Sequence, residues 1–470
     1  MFSFPQIKGR LRSGALIVSA AAIGALMVGI TATPQPARSA AAVPKQVVTG
    51  PVAVYWMNAS TSSGFSVSGL AGGGKPSMAS MMNMMKGGAS HGLYMALGSN
   101  TPQANPTADH LPPAALAVGN DLPLYWKRPV TATGPHEPYT PSQNNDKPEQ
   151  PKGKILVFWG CGEHAPKNQP LVIDLSKITD PTAAQNMMKQ MAPSITLETV
   201  HPPSPDTYKS FGEWPNEKNT KGLTGASSLV GPHTIKGNYS PQIDFTLNAS
   251  QDFLAPINIT GNARDAAGGV ALTWQQIPGA KGFVATVIGG SGGNGDSGGT
   301  MVMWTSAASQ TGWMGMAPDY MTPGDIDRLL AQNILLPGTA TTCTVPAEVV
   351  AAASGGRGEG GGLFGLTAYG GETNMAFPAR PTDPKVAWNI QWETKIRYRS
   401  STGGILGQAM PGGGGMMGAM FGGGGDDDTG ASDNSGSSSS SSSSADDGKK
   451  KKKSSLFGNI VKQGIGNFIP

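Results

Sequence analysis

The chain has 470 residues, with 67 glycines, 38 prolines and only 14% charged residues. Gly and Pro together exceed their average share of about 12%, which indicates many turns and short strands and argues against a helical bundle. The formal charge is +4 and the run Lys449–Lys453 holds five of the basic residues. The rest of the chain is therefore near neutral, which excludes a basic nucleic-acid-binding surface.

The N-terminus has the pattern of a secretory signal. Lys8, Arg10 and Arg12 precede the apolar run Gly14–Ala32, and the small residues Ser39–Ala42 follow. Residues 1–40 are therefore predicted to be a signal peptide that exports the chain to the periplasm or cell envelope. The apolar run is also about as long as a minimal membrane span, so an uncleaved anchor stays open as the alternative. No later stretch is apolar over such a length, so the mature body is not expected to cross a membrane.

Residues 41–200 are predicted to form a first β-rich, sandwich-like domain. Strand patterns occur at Val52–Met57, Gly92–Leu97 and Lys154–Trp159. The next segment, 201–238, is rich in Pro, Gly, Lys and Ser and is interpreted as a linker or long loop.

Aromatic pairs stand near the ends of three predicted strands, at Tyr55-Trp56, Tyr125-Trp126 and Phe158-Trp159. An exposed pair would stack on sugar rings or on a partner, whereas a buried pair would belong to a sandwich core. Each pair follows an apolar stretch, which favours the core.

A methionine-rich stretch in the first domain is a candidate metal site. Five methionines and a nearby histidine make up the candidate ligand set: Met78, Met81, Met82, Met84, Met85 and His91. Soft thioether ligands suit Cu(I), so a periplasmic Cu(I)-binding protein is the alternative function. Methionine also fills irregular gaps in apolar packing, and a plain apolar segment is the competing interpretation.

The two cysteines of the chain are Cys161 and Cys343. In an exported protein they can form a disulfide, worth about 4–5 kcal/mol in a chain-entropy estimate, or remain two separately buried thiols. Cys161 and His164 also have the Cys-x-x-His spacing of zinc and copper ligands, or of a nucleophile beside a base. A tight turn between Gly160 and Gly162, with no chemistry, is the competing interpretation.

Residues 239–399 hold the clearest strand pattern. Within Val270–Gly289, two runs of alternating apolar residues flank the turn signal Pro278-Gly279, and Trp274 stands on the first run. Together with Thr342–Pro346, this segment resembles fibronectin type III and related immunoglobulin-like modules. The resemblance implies a β-sandwich over 239–399 and assigns no function, because such modules host many roles.

The segment Gly295–Gly299 resembles the nucleophile motif of chymotrypsin-like serine proteases, with Ser297 in the nucleophile's place. That mechanism also needs a histidine base and a carboxylate. None of the six histidines lies in the Ala-Ala-His-Cys context of that family. A glycine-rich loop accounts for the motif, and a hydrolase centred on Ser297 or Cys161 is the third and disfavoured hypothesis.

The composition changes after Arg399. Residues 400–455 are rich in Gly, Met, Ser and Lys and are predicted to be disordered, because they offer little apolar area to bury. Residues 456–470 are predicted to form a short amphipathic segment. With the lysine run it is typical of a peptide that docks on a membrane surface or an envelope protein, and a plain solubilising tail is the alternative. The residues expected to dock are Lys449, Lys450, Lys451, Lys452, Lys453, Leu456, Phe457, Ile460, Val461, Ile465 and Phe468.

The sequence thus predicts an all-β protein of two β-sandwich domains in tandem, between an N-terminal signal segment and a disordered C-terminal tail. Its expected role is non-catalytic binding or scaffolding in the bacterial envelope, tethered through the tail. No motif identifies the ligand, the partner or the oligomeric state.

Overall fold

A computed structural model describes residues 45–64, 88–127, 152–178, 200–292, 298–311, 317–355 and 362–408, with a few single positions between 182 and 198. Several sequence predictions fall outside these residues. They are the signal segment 1–40, the methionines Met78–Met85, Ser297 and the tail from residue 409 onward.

The described chain is mostly β-strand, which confirms the all-β prediction. The strands of the first half are β1 (Val48–Thr49), β2 (Ala53–Gly64), β3 (Ser90–Ser99), β4 (Ala108–Leu111), β5 (Leu122–Leu124), β6 (Gly153–Trp159), β7 (Leu171–Asp174), β8 (Ser210–Trp214) and β9 (Gly231–Gly237). Those of the second half are β10 (Ile243–Leu247), β11 (Ile259–Arg264), β12 (Val270–Trp274), β13 (Gly282–Ser291), β14 (Gly299–Thr305), β15 (Leu336–Pro337), β16 (Thr342–Val345), β17 (Gly362–Phe377), β18 (Trp388–Asn389) and β19 (Trp392–Ile405). Two α-helices lie in the described ranges, α1 (Pro323–Ala331) and α2 (Ala347–Ala353).

A ten-stranded sheet runs through the protein in the order β7-β6-β14-β13-β17-β19-β2-β3-β8, with β15 paired to β13. Within it, the parallel pair β19–β2 aligns Trp392 with Ala53 and continues to Gly403 beside Gly64. A second parallel pair joins β14 to β6. All the described strands belong to one compact unit that begins at Gln46.

Two smaller sheets cover one face of this large sheet. The three-stranded sheet β11-β12-β16 packs Trp274 against Phe283 of β13, with ring centroids 5.5 Å apart. The four-stranded sheet β10-β9-β4-β5 packs Phe245 towards Tyr55 of β2, at 6.3 Å. Side chains of all three sheets form one hydrophobic cluster. We call this covered side the inner face and the opposite side the outer face.

The two predicted tandem sandwiches are not confirmed. The large sheet takes β2, β3, β6 and β7 from residues 41–200 and β13, β14, β15, β17 and β19 largely from 239–399. Residues 201–238, interpreted as a linker or long loop, supply β8 to the large sheet and β9 to the four-stranded sheet. Period-2 alternation reveals which face of a strand is buried, but it does not reveal which distant strand lies beside it.

The last strand of the large sheet passes Arg399, where the second domain is predicted to end. β19 continues to Ile405, past the expected boundary at Arg399, because residues 400–405 pair with β17 and mostly lie buried. Among the described residues, no helix is long and apolar enough to cross a membrane.

Candidate functional site

Cys161 and Cys343 form a disulfide, with their Cα atoms 5.4 Å apart. Cys161 follows β6 of the large sheet and Cys343 lies on β16 of the three-stranded sheet, so the bond joins two sheets. Of the two alternatives that the sequence leaves open for these cysteines, the structure contains the disulfide. A bridged sulfur carries no thiolate, so Cys161 in this state serves neither as a metal ligand nor as a nucleophile.

His164 has a structural partner on α2. Its Nδ1 lies 3.0 Å from Glu348 Oε1, and the backbone N–H of Ala165 donates to Glu348 Oε2 at 2.8 Å. The hydrogen bond from Ala165 is the largest cause that lowers the pKa of Glu348, and His164 adds to it. No group of three or more His, Cys, Asp or Glu side chains is arranged for a metal ion in the part of the chain that the structure describes.

His91 lies at the start of β3 and contacts the side chains of Thr61 and Phe253. Its Nδ1 lies 3.0 Å from Thr61 Oγ1, and its ring stacks on Phe253 at 4.1 Å. Burial lowers the pKa of His91, partly opposed by Asp252. Its five predicted methionine partners lie outside the described residues, so the copper site stays a prediction.

The pair Tyr55-Trp56 splits between the two faces of the large sheet, because successive side chains on a strand point to opposite sides. Tyr55 lies in the main hydrophobic cluster of the inner face. Trp56 belongs to a separate small cluster with Ala96 and Phe211 and is 3% exposed. The prediction of core residues therefore holds for both side chains, in two different clusters.

Beside Trp56, the outer face carries a cavity of about 560 Å³, which we call the Trp56 cleft. Strands β2, β3 and β8 form its floor, and the segment from His201 to Tyr208 forms its wall. The aromatic and charged residues that line it are Trp56, Tyr94, His201, Tyr208, Phe211 and Glu213. Its volume is in the range typical of small-molecule sites.

Gly98 on β3 explains how the wall packs on the floor. A Cβ at this position would lie 2.6 Å from Cγ of Tyr208 and 2.7 Å from Cβ of Pro203. Such distances are shorter than non-bonded carbon atoms tolerate. The missing side chain therefore lets the Tyr208 ring and Pro203 rest directly on the sheet.

Hydrogen bonds orient the polar groups of the cleft. The Tyr94 hydroxyl donates to Glu213 Oε2 at 2.9 Å, and the Trp56 indole N–H donates to Asn58 Oδ1 at 2.7 Å. Burial raises the pKa of Tyr94, and the Glu213 carboxylate raises it further. Burial and the nearby Glu393 likewise raise the pKa of Tyr208. Both tyrosines are therefore neutral hydroxyl groups at physiological pH.

Two cations of β19 lie over the Trp56 ring. Arg397 is 4.7 Å and Lys395 5.6 Å from the ring centroid, within the range of cation–π attraction. Both also contact Glu372, which Arg397 Nε approaches to 3.0 Å. Burial acts to raise the pKa of Glu372, but hydrogen bonds from Lys395, Asn374 and Arg397 and the charge of Lys395 lower it on balance.

A buried polar chain crosses the inner face. His110 Nδ1 lies 2.9 Å from the Tyr55 hydroxyl, His110 Nε2 lies 2.9 Å from His233 Nδ1, and His233 Nε2 lies 2.7 Å from the Leu229 carbonyl oxygen. Met95 Sδ also contacts the hydroxyl and the His110 ring. Burial lowers the pKa of both histidines. His233 lowers the pKa of His110 further, whereas the hydrogen bond to the Leu229 carbonyl partly opposes the lowering at His233.

Sequence reasoning missed most of these residues. It singled out Trp56 through its pair with Tyr55, but it assigned no role to Tyr94, Tyr208, Glu213, His110 or His233. These residues converge only through strand pairing, and Tyr208 lies in the segment interpreted as a linker. Along β3 the large apolar residues Leu93, Met95 and Leu97 alternate with smaller residues and Tyr94, which marks two faces but not what packs on the outer one.

No protein-family model matches the chain, and a search of curated proteins finds no similar sequence.

Proposed function

We propose that this protein is an exported, non-catalytic binding protein whose ligand site is the Trp56 cleft. The observation that carries the proposal is a cavity of about 560 Å³ with four aromatic side chains and one carboxylate in its lining. Aromatic walls with a few oriented polar groups are typical of small-molecule sites. The bridged cysteines support the absence of thiol chemistry and are typical of an exported chain.

We also propose that residues 239–399 are a fibronectin type III-like sandwich, and the packing of two sheets supports this. Strands β11, β12 and β16 form one sheet, and β14, β13, β17 and β19 lie side by side in the other. β12 and β13 are consecutive strands in opposite sheets, as in immunoglobulin-like sandwiches. A scaffold of this kind holds a binding surface rigid.

A screen by ligand-observed NMR tests the cleft. The purified mature chain is mixed with small aromatic, sugar and charged compounds, and binding is compared with Tyr208→Ala and with Phe377→Ala. Phe377 is an aromatic residue 54% exposed outside the cleft lining and serves as the control. We expect compounds that bind wild type and Phe377→Ala but not Tyr208→Ala. An absence of binders, or binding unaffected by Tyr208→Ala, would contradict the proposal.

The C-terminal residues 449–468 are proposed to tether the protein in the envelope. Their lysine run and apolar spacing are typical of peptides that attach to a membrane surface or to a partner. Cell fractionation compares the full chain with a chain that lacks residues 456–470 and with one in which Lys449–Lys453 are glutamines. We expect both changes to release the protein, and unchanged retention would rule out the tether.

The N-terminal prediction has a separate test. The intact mass of the protein recovered from cells shows whether residues 1–40 have been removed.

A further inference from the structure

One carboxylate lines the Trp56 cleft and a second lies beside it. Among the described lining residues, Glu213 is the only Asp, Glu, Lys or Arg, and His201 is the one histidine. A second carboxylate, Glu393, pairs in register with Val54, which lines the cleft, and it acts electrostatically on Tyr208. Both carboxylates therefore lie beside the aromatic wall.

The two neighbouring cations, Lys395 and Arg397, share the carboxylate of Glu372, and Arg397 Nη2 is buried without a hydrogen-bond partner. Lys395 contacts Glu372 and donates to Asn374 Oδ1 at 2.9 Å, and Arg397 donates to the other oxygen of Glu372. These groups belong to β19 and are not part of the described cleft lining. Their position over Trp56 also shows that this ring attracts a positive charge within the fold.

We propose that the Trp56 cleft binds an organic cation of the quaternary ammonium class. This inference deepens the proposed function and rests on the cleft being a ligand site. Among the four aromatic rings of the lining, Tyr94 and Tyr208 are half-buried and offer their negative faces to a cation. Trp56 and Phe211 are buried, at 3% and 5% exposed, and Lys395 and Arg397 already lie over Trp56. Glu213 supplies the opposite charge, and its hydrogen bond from Tyr94 holds the carboxylate in place.

The chemistry favours a methylated ammonium over a primary one. A primary ammonium is a compact, strongly hydrated charge and needs several hydrogen-bond acceptors to replace its water. The described lining is dominated by aromatic rings and prolines, with one carboxylate already bonded to Tyr94. Rings of this type are the recognised partners of quaternary ammonium groups, because such cations shed water easily.

Calorimetric titration with choline and with its neutral isostere 3,3-dimethyl-1-butanol tests the proposal on the purified mature chain. The two probes have nearly the same shape, so their difference isolates the charge. We expect choline to bind about 3- to 30-fold more tightly than the neutral alcohol. Tetramethylammonium should compete with choline, and ammonium at the same concentration should not.

Two matched variants locate the site. Glu213→Gln keeps an acceptor for the Tyr94 hydroxyl and removes the charge, so choline affinity should fall several-fold while affinity for the neutral alcohol stays the same. Glu217→Gln removes an exposed carboxylate outside the cleft lining and should change neither. Equal affinity for the two probes, or equal effects of the two variants, overturns the inference. If the NMR screen still finds compounds that depend on Tyr208, only the cation class fails; if it finds none, the proposed function fails as well.

Discussion

The carbonyl oxygen of Leu229 sets the proton positions along the buried chain from Tyr55 to His233. A carbonyl only accepts, so His233 Nε2 carries a proton and donates to it. A neutral His233 then accepts at Nδ1 from His110 Nε2–H, and His110 Nδ1 accepts from the Tyr55 hydroxyl. Every ring nitrogen has a hydrogen-bond partner in this neutral arrangement. Protonation of either imidazole would turn its accepting Nδ1 into a donor that faces a group already donating to it.

The buried hydrogen-bonded series from Tyr55 to His233 predicts that acid destabilises the fold. The pKa of both imidazoles is lowered in the folded protein, whereas the pKa of an unfolded histidine is about 6.5. Below that pH the unfolded chain binds protons that the folded chain refuses, so stability is full above about pH 6.5 and is lost as the pH falls. We expect the two histidines to lower the unfolding free energy by up to about 3 kcal/mol at pH 5.5. Urea unfolding at pH 7.5 and 5.5 measures the loss.

The imidazole proton resonances of the folded protein provide the control. The signals of His110 and His233 should not titrate between pH 7.5 and 5.5. Normal titration of the two buried rings near pH 6.5 would contradict the neutral chain.

Glu372 is the counter-charge for Lys395 and Arg397 on the outer face, and its removal is predicted to destabilise the fold. Its side chain is 6% exposed and that of Arg397 is 7% exposed, so removing the carboxylate leaves a buried guanidinium without its counter-charge. We expect Glu372→Gln to lower the unfolding free energy by about 3–5 kcal/mol. Asp319→Asn removes the 73% exposed partner of Arg399 and should cost at most about 1 kcal/mol. Similar losses in the two variants, measured by urea unfolding, would show that burial does not decide the value of these pairs.

At the scale of the element, the disulfide fastens β16 of the three-stranded sheet to the end of β6. The bond closes a loop of 182 residues, so it restricts a large part of the unfolded chain. We expect Cys161→Ala/Cys343→Ala to lower the unfolding free energy by about 2–5 kcal/mol. Cys161 is exposed, so a reductant should produce a similar loss in wild type and none in the double variant. A wild-type chain that is equally stable with and without reductant would contradict this role.

The same elements show what the sequence reveals and where it stops. The stretches Val270–Trp274, Gly282–Ser291 and Gly153–Trp159 follow expectation, because local alternation and a Pro-Gly turn are enough to define a strand. The Trp56 cleft does not follow, since Tyr94, Phe211 and Glu213 meet only when β2, β3 and β8 pair in register. Local pattern carries no information about such distant partners.

At the scale of the whole molecule, the large sheet makes the two halves of the chain dependent on each other. β2 lies between β19 on one side and β3 on the other, so the first half supplies the strand that covers the edge of the second. β6 covers β14 in the same way at a second place. An unpaired strand edge of this length exposes backbone groups and promotes aggregation.

The shared sheet predicts that neither half folds alone. A chain of residues 239–408 lacks β2, which pairs with β19 from Trp392 to Gly403, and it also lacks β6 and the four-stranded sheet's β4, β5 and β9. It should therefore aggregate or unfold without a cooperative transition in urea, and so should residues 41–200. The chain of residues 41–408 should unfold in one transition, because every sheet crosses between the halves or packs on one that does. If residues 239–408 alone unfolded cooperatively with a stability close to that of residues 41–408, the second half would be an independent sandwich and the β19–β2 pairing an accessory contact.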